Sequence, residues 1–416
     1  MRVAIVGGVR TPFVKAGGVF SKYSTLELGK HVVVGCFERL GIDPDVIDEL
    51  YFGTVLLDPR IPNLAREILL RSGLPKTING HFVSNNCITG LVAANVAAEG
   101  IRSGRIRAAI VGGSESMSNP TLTFPRKGEE FFIRLSRARS LGERLSVVKR
   151  FRPGFLAPQA PSPKEPSTGL TMGQHCELMA QEFGIGRNEQ DALALRSHQA
   201  AALAREKGVL AKQILPLGGV SEDNLVRGDT TAEKLAKLPA VFDRGPQGTI
   251  SAGNASALTD GASAVCLMSE AFAREIKAPI IGFLDRVEFA SLPPGDGLLM
   301  APALALPKLM AACGLTTSSV DLFEIHEAFA AQVLCNLRAW EGGWSRYASI
   351  PALGAIDRER MNVYGGSIAL GHPFAATGGR LLVNACQALE DRGGKTAVLS
   401  VCAAGGGAAA AAVSRE

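Results

Sequence analysis

Aromatic side chains are scarce in this chain, with 18 Phe, 4 Tyr and 2 Trp among 416 residues. That leaves no run of stacking rings for single-stranded nucleic acid. Histidine is rarer still, at six residues. No CxxC pair and no Cys/His cluster has metal-ligand spacing, so no zinc site is expected. Eight cysteines without close pairing do not read as a disulfide framework, and a reducing, cytoplasm-like compartment is expected. No apolar run reaches the length of a membrane span, since the tail AAGGGAAAAAV is too short and too Gly-rich. The sequence opens on a strand pattern, VAIVGGVRTP, so a signal or transit peptide is not expected. Charge excess is also missing from most of the chain. Residues 121–155 carry nine Lys and Arg against three Glu, a net +6 in a chain whose total is +5, so the remainder sums to −1. A general nucleic-acid binder is therefore excluded.

What is present is glycine, 47 residues of it, and a 46% hydrophobic content suited to a compact protein of two or three subdomains. Three short segments stand out: Asn85-Asn86-Cys87 in VSNNCITG, His372 in GSIALGHPFAATGG, and Cys402 in VLSVCAAGGG. Each places a nucleophile or proton-transfer group where an apolar strand gives way to small residues. Such turns let backbone approach a ligand and leave N–H groups free for oxygen or phosphate. Two cysteines and a histidine so placed point to thiolate chemistry on an acyl group. Cys36, Cys266, Cys313 and Cys386, in helix or strand patterns among Ala, Val and Leu, read instead as small buried hydrophobes.

The chain repeats itself degenerately. STLELGKHVVVGCFERLGIDPDVIDELYFG reads as helix, Gly stop, turn and strand, and APALALPKLMAACGLTTSSVDLFEIHEAF has the same order. CITGLVAANVAAEGIRSGRIRAAIVGGSES is a small-residue helix leading to a buried strand, matched by HPFAATGGRLLVNACQALEDRGGKTAVLSVCAAGG. Continuous apolar strands alternating with Ala-rich helices indicate α/β layering with sheets covered on both faces. Two such halves meeting face to face would share a cleft at strand ends and helix N-termini. Residues 121–244 break the pattern, being basic, then Pro-rich, then helical, and read as an inserted cap.

The segments VRTPF, NNCITG, VGGSESMS, TMGQHCE, SAGNASALTDGAS, HEAFAAQ, GGSIALGHPFAATGGR and CAAGGG, in that order along the whole chain, resemble the thiolases, the 3-ketoacyl-CoA/acetyl-CoA acetyltransferases. HEAFAAQ, GHPFAATG and CAAGG are most similar to the β subunits of fatty-acid oxidation trifunctional complexes and their bacterial anaerobic-type counterparts. The resemblance implies the thiolase fold, two similar five-stranded α/β halves packed as an αβαβα sandwich with an inserted loop/cap domain. The halves would be 1–120 completed by 245–272, and 273–416, with the cap at 121–244.

It also implies a reaction: CoA-dependent cleavage of 3-ketoacyl-CoA, reversible as a Claisen condensation. Such cleavage needs a nucleophile to take the acyl group, an acid for the departing carbanion, and donors for two oxyanions. By resemblance Cys87 is the nucleophile, at a helix start whose dipole favours a thiolate. His372 accepts its proton and binds the thioester oxygen, and Cys402 is the second proton shuttle. Backbone N–H groups of the Ala403-Ala404-Gly405-Gly406 turn form a second oxyanion hole, where Ala404 is tolerated if its φ stays negative. His326 replaces the Asn of many thiolases, as in the trifunctional-type relatives, and either holds a water or donates directly.

For coenzyme A, which enters as substrate with no permanently bound cofactor and no metal, the resemblance implicates Met172, Arg227 near the nucleotide, Ala252, Gly253 and Ser256 in SAGNAS, and Phe329. Ordinary packing is the competing reading for Met172 and Phe329, and His175 and Cys176 read as structural. Expected partners are 3-ketoacyl-CoA, CoA and acetyl-CoA in a homodimer or homotetramer. LSRARSLGERLSVVKRF, with apolar residues among its Arg and Lys, reads as an amphipathic helix over 134–152. It would contact an anionic membrane or a hydratase/dehydrogenase subunit, against the plainer reading of a solvated basic face. Alternative functions are a biosynthetic acetoacetyl-CoA thiolase, a ketosynthase-type condensing enzyme, and a non-catalytic scaffold subunit. Ketosynthases lack the second Cys and the large cap, and intact Cys87, His372 and Cys402 argue against a scaffold.

Overall fold

Ten strands form the frame: β1 Val3–Arg10, β2 Val14–Lys15, β3 Glu49–Gly53, β4 Asn79–Val83, β5 Ala108–Glu115, β6 Thr259–Ser269, β7 Gly282–Ser291, β8 Leu322–Ile325, β9 Thr396–Ala403 and β10 Gly407–Ser414. The computed structural model describes all 416 residues. Strand order is β4-β3-β5-β6-β1-β7-β10-β9-β8, with β2 flanking β6. At the centre β1 and β7 pair through only two residues, Ala4 with Phe283 and Ile5 with Gly282. On either side of that seam the order repeats, with β3/β5 and β8/β9 parallel and β6 and β10 antiparallel to their neighbours.

The second half departs from the expected five strands in one place. The counterpart of β4 is reduced to a single parallel bridge from Phe323 to Met361. The sequence leading into it, PALGAIDRER, carries Pro, Gly and four consecutive charged residues and turns through a short 3₁₀ segment, Arg358–Arg360, instead of alternating.

Helices fill the spaces by layer. Thr25–Leu40 and Leu64–Ser72 cover the outer face of the first half, and Pro302–Cys313 covers the outer face of the second. Thr89–Arg102 and Thr377–Arg392 lie between the two halves and touch each other. Helices Thr25–Leu40 and Pro302–Cys313 stop at equivalent glycines, Gly41 and Gly314, each with φ 64 in the left-handed region that lacks a Cβ penalty. Strand side chains alternate between cores. Ala409, Ala411 and Val413 of β10 face the inner helices, whereas Ala408, Ala410 and Ala412 face outward. Both faces are therefore buried, which is why these strands read as continuous apolar runs without alternation.

The segment between β5 and β6 carries helices Met172–Glu182 and Arg187–Glu206, which pack on Ala330–Gly342. Its basic part differs from the single amphipathic helix expected over 134–152. One helix ends at Arg137, and a second, Leu141–Val148, starts with a capping box from Ser140 and Glu143. Ser140 is favoured at an N-cap, and its hydroxyl accepts from the Glu143 N–H to start a separate helix. Cys313 is half-buried, while Cys36, Cys266 and Cys386 are fully buried as expected.

Candidate active site

The Cys87 turn is built by its two asparagines. Asn86 adopts φ 47, a left-handed conformation that Asn tolerates better than most residues, and its Nδ2 donates to Ala404 O at 3.1 Å. The Asn85 N–H donates to Thr89 Oγ1 at 2.8 Å, and that hydroxyl donates to Asn86 O at 2.7 Å, locking the turn onto helix Thr89–Arg102. Directly behind, this helix meets the start of Thr377–Arg392 with no room for side chains. A Cβ on Gly90 would lie 2.9 Å from Ala375 O, and one on Gly378 would lie 2.7 Å from the Leu91 nitrogen. The close approach of these two helix starts is what joins Cys87 to His372 across some 285 residues.

His372 is fixed at three points. Its backbone N–H donates to Thr259 Oγ1 at 3.0 Å, its Nδ1 meets Thr377 Oγ1 at 2.7 Å, and its Nε2 lies 3.1 Å from Cys87 Sγ. A buried carboxylate holds the loop: Glu115, at the end of β5, accepts from Thr54 Oγ1 and from the N–H groups of Leu56 and Ala375. Cys402, near the end of β9, and the Ala403-Ala404 turn complete the wall. Ala404 keeps a negative φ, since only Asn86, Lys277 and Asn362 among the non-glycine residues are positive.

Burial dominates the electrostatics. The N–H groups of Ala404 and of Cys87 itself face Cys87 Sγ and favour its thiolate, but burial pushes the thiol up to about 12. The thiolate expected from the helix dipole is thus outweighed in the free protein. Helix Thr89–Arg102 begins two residues beyond Cys87, and Glu115 adds a like charge nearby. Burial, with the Arg380 charge as a second cause, lowers His372 to about 3. At neutral pH the pair is a thiol hydrogen-bonded to a neutral imidazole. Cys402 is likewise held well above the usual thiol range by burial and by the neighbouring Cys87.

These groups open onto a cavity of about 370 Å³ whose walls are mostly hydrophobic. Of the residues picked out from the sequence, Cys87, His372, Cys402, Met172, Ser256 and Phe329 line it. His326 is not in the lining itself but packs against it, its ring centroid 4.0 Å from that of His372. Arg227 is exposed and lies outside the lining. Ala252 and Gly253 also lie outside it, and Gly253 packs against Leu235 and Leu238 of the inserted segment. Ser256 and Phe329 are brought together because SAGNAS runs beside HEAF, the Ser256 N–H donating to Ala328 O and the Ala330 N–H to Asn254 O, both at 2.9 Å.

The structure adds members that carried no sequence signal. Phe242 meets Phe329 edge-on at 5.8 Å, and Leu299 and Phe374 fill the wall. Glu165 accepts from the Gly405 N–H at 3.0 Å, so this donor of the small-residue turn is engaged by the inserted segment. Lone apolar residues in loops have no periodicity to betray them. Glu165 lies in a Pro-rich stretch that reads only as loop.

Comparison with known proteins agrees with this arrangement. Residues 3–271 match the family model for the thiolase N-terminal domain, and residues 278–415 match the model for the thiolase C-terminal domain. The 3-ketoacyl-CoA thiolases of Yersinia enterocolitica and of Enterobacter sp. strain 638 are 39% and 41% identical, over 97% of this chain and 94% of theirs. Among solved structures, the Bacillus anthracis acetyl-CoA acetyltransferase superposes with a TM-score of 0.84 at 29% identity, covering 99% of this chain and 98% of its own. Human mitochondrial 3-ketoacyl-CoA thiolase in complex with CoA gives a TM-score of 0.83 at 26% identity, covering 100% and 98%. With both halves matched in order and along nearly the full length, the chain belongs to the thiolase family.

Proposed function

We propose that this protein is an acetyl-CoA C-acyltransferase that cleaves 3-ketoacyl-CoA with coenzyme A to give acetyl-CoA and a shortened acyl-CoA. The observation that carries the reading is Cys87 Sγ 3.1 Å from His372 Nε2, on the wall of a cavity that Cys402 also lines. In this route His372 takes the thiol proton as Sγ bonds to the 3-keto carbon. Collapse of the tetrahedral adduct breaks the α–β carbon bond. The electron pair passes to the acetyl-CoA α-carbon, and the Cys402 thiol protonates it. Coenzyme A then delivers its thiol proton to the Cys402 thiolate and attacks the acyl-Cys87 thioester; the acyl–Sγ bond breaks, and the departing Cys87 thiolate takes back the proton held by His372. The reverse sequence is a Claisen condensation. Cys402 in the cavity favours this reading over a ketosynthase-type enzyme.

Met172, Phe329 and Ser256 suit a narrow pantetheine arm, and exposed Arg227 is positioned by sequence resemblance for the nucleotide. Fatty-acid β-oxidation in the cytoplasm, as a homodimer or homotetramer, is the setting we infer. The test is thiolysis followed as loss of 3-ketoacyl-CoA in the presence of CoA, across short, medium and long acyl chains. Turnover with at least one chain length is expected, and inactivity with all of them would overturn the assignment.

The two basic helices, Arg126–Arg137 and Leu141–Val148, extend the reading to a peripheral contact. Ile133, Leu141, Leu145, Val148 and Phe151 are exposed on or beside them, Leu141 by 76%. Apolar side chains among cations suit an anionic membrane, where each Lys or Arg near the surface contributes about 1 kcal/mol. A hydratase/dehydrogenase subunit is the other candidate for the same face. We expect the protein to sediment with anionic phospholipid vesicles, not with neutral ones, and to be released by salt. Leu141→Glu with Leu145→Glu should abolish sedimentation while sparing thiolysis. Equal indifference to both vesicle types would leave the dehydrogenase subunit as the occupant.

A further inference from the structure

His326 is 1% exposed, and its two ring nitrogens have different fates. Nδ1 lies 2.8 Å from Ser367 Oγ, whereas Nε2 has no hydrogen-bond partner in the protein. An unpartnered buried polar atom costs about 1–3 kcal/mol, so it is kept where a ligand or water satisfies it. Ser367 is fully buried, and its hydroxyl has one other partner, the Arg380 guanidinium, whose Nη2 donates to it at 2.9 Å.

The direction of each bond follows from donor chemistry. A guanidinium only donates, so Ser367 Oγ accepts from Arg380. The hydroxyl hydrogen then has a single place to go, His326 Nδ1. Were Nδ1 protonated instead, Ser367 would accept twice and its own hydrogen would have no acceptor among the protein groups around it. Nδ1 is therefore bare and Nε2 carries the hydrogen.

Arg380 keeps its charge. Burial lowers it to about 10, and Glu324 and Glu327 oppose that shift. Glu327 in turn accepts from Ser197 Oγ, Asn362 Nδ2 and the Ile368 N–H, which ties the His326 strand end to the Ser367 loop. The neighbouring His372 needs the opposite tautomer in the proposed reaction. Its Nε2 must be bare to take the Cys87 proton, so its Nδ1–H donates to Thr377 Oγ1.

We propose that Arg380 and Ser367 are positioning residues that fix His326 as a neutral Nε2–H donor for a substrate oxygen bound beside His372. Two touching imidazoles are thereby held in opposite tautomers, one a base and one a hydrogen-bond donor. The inference rests on the acyltransferase reading for the oxygen, and on hydrogen bonding alone for the tautomer.

Two measurements test it. In ligand-free protein labelled with ¹⁵N-histidine, with the His326 signals assigned by their loss in His326→Gln, Nδ1 should read as a bare nitrogen and Nε2 as N–H. A protonated Nδ1 at His326 would overturn the proposal. In the thiolysis assay, Ser367→Ala should lower kcat by about 10- to 100-fold, part of what loss of an oxyanion donor costs, with KM little changed. The variant's His326 signals should become a mixture of tautomers. A Ser367→Ala enzyme with wild-type kcat and an unchanged His326 spectrum would also overturn it. Wild-type protein that shows the expected tautomer yet catalyses no thiolysis would count against the acyltransferase reading and leave the tautomer assignment standing.

Discussion

Cys87→Ala is expected to abolish thiolysis, with kcat falling on the order of 10⁴–10⁶-fold, the scale seen when a covalent nucleophile is removed. With the thiol pushed up to about 12 by burial, the sulfur rests protonated at pH 7. Attack then depends on His372 taking the proton as the bond to carbon forms, and its neutral imidazole is available 3.1 Å away. Intact-protein mass spectrometry after mixing with 3-ketoacyl-CoA should show an acyl adduct on the wild type and none on Cys87→Ala. His372→Gln preserves a side chain at the site but not the base, and should slow adduct formation by about 10²–10⁴-fold. Coenzyme A binding by calorimetry should survive in Cys87→Ala, because Met172, Ser256 and Phe329 still line the cavity. That combination separates a catalyst from a scaffold. A Cys87→Ala protein that still turns over would show that the acyl group is carried elsewhere.

The site was readable where chemistry forces a local signature, and unreadable where it depends on partners far along the chain. Asn86 and Gly90 announce a tight turn, and the same small-residue pattern recurs at Gly378. Both positions are crowded by backbone, which is a constraint a sequence displays directly. The doubled helix–Gly–turn–strand pattern was legible for the same reason, through the matched caps at Gly41 and Gly314. Ser367 and Arg380 were not legible as partners of His326, because a buried hydroxyl and a helical arginine look like packing and surface until the fold joins them. Charge and apolar spacing predict one helix over the basic stretch because they are blind to Ser140, which caps a second one. The missing fifth strand of the second half was hidden too, since a single bridging residue at Met361 leaves no periodicity.

Asp223→Ala should destabilise the protein by about 3–5 kcal/mol, the cost of leaving a buried charge without its partner. Arg10, in the VRTPF segment of β1, is 1% exposed, as is Asp223, which lies in the inserted segment. The pair is bidentate, with Nη1 to Oδ1 at 2.6 Å and Nη2 to Oδ2 at 2.8 Å. Asp223 also accepts from the Phe13 N–H at 2.7 Å, so its loss orphans a second buried donor. Two weaker partners would remain, Gln213 Oε1 on the Arg10 Nε at 3.1 Å and Thr11 O on Nη1 at 3.2 Å. Chemical denaturation should show the loss as a lowered midpoint. Asp229→Ala, which breaks the exposed pair with Lys234, should leave the midpoint in place. The cause is distinguishable from a mere cavity by adding Arg10→Met to Asp223→Ala. Removing the stranded guanidinium should recover part of the lost stability, although the Phe13 N–H stays unpaired. A double variant less stable than Asp223→Ala would mean that Arg10 acts through packing, and that its charge is satisfied without Asp223. This ion pair works with two backbone hydrogen bonds, the Arg10 N–H to Gln213 O at 2.9 Å and the Leu215 N–H to Arg10 O at 2.8 Å, to seat the inserted segment on the first strand of the sheet. The same segment supplies Met172 and Phe242 to the cavity wall. Asp223→Ala should therefore raise the KM for coenzyme A at temperatures where the protein is still folded.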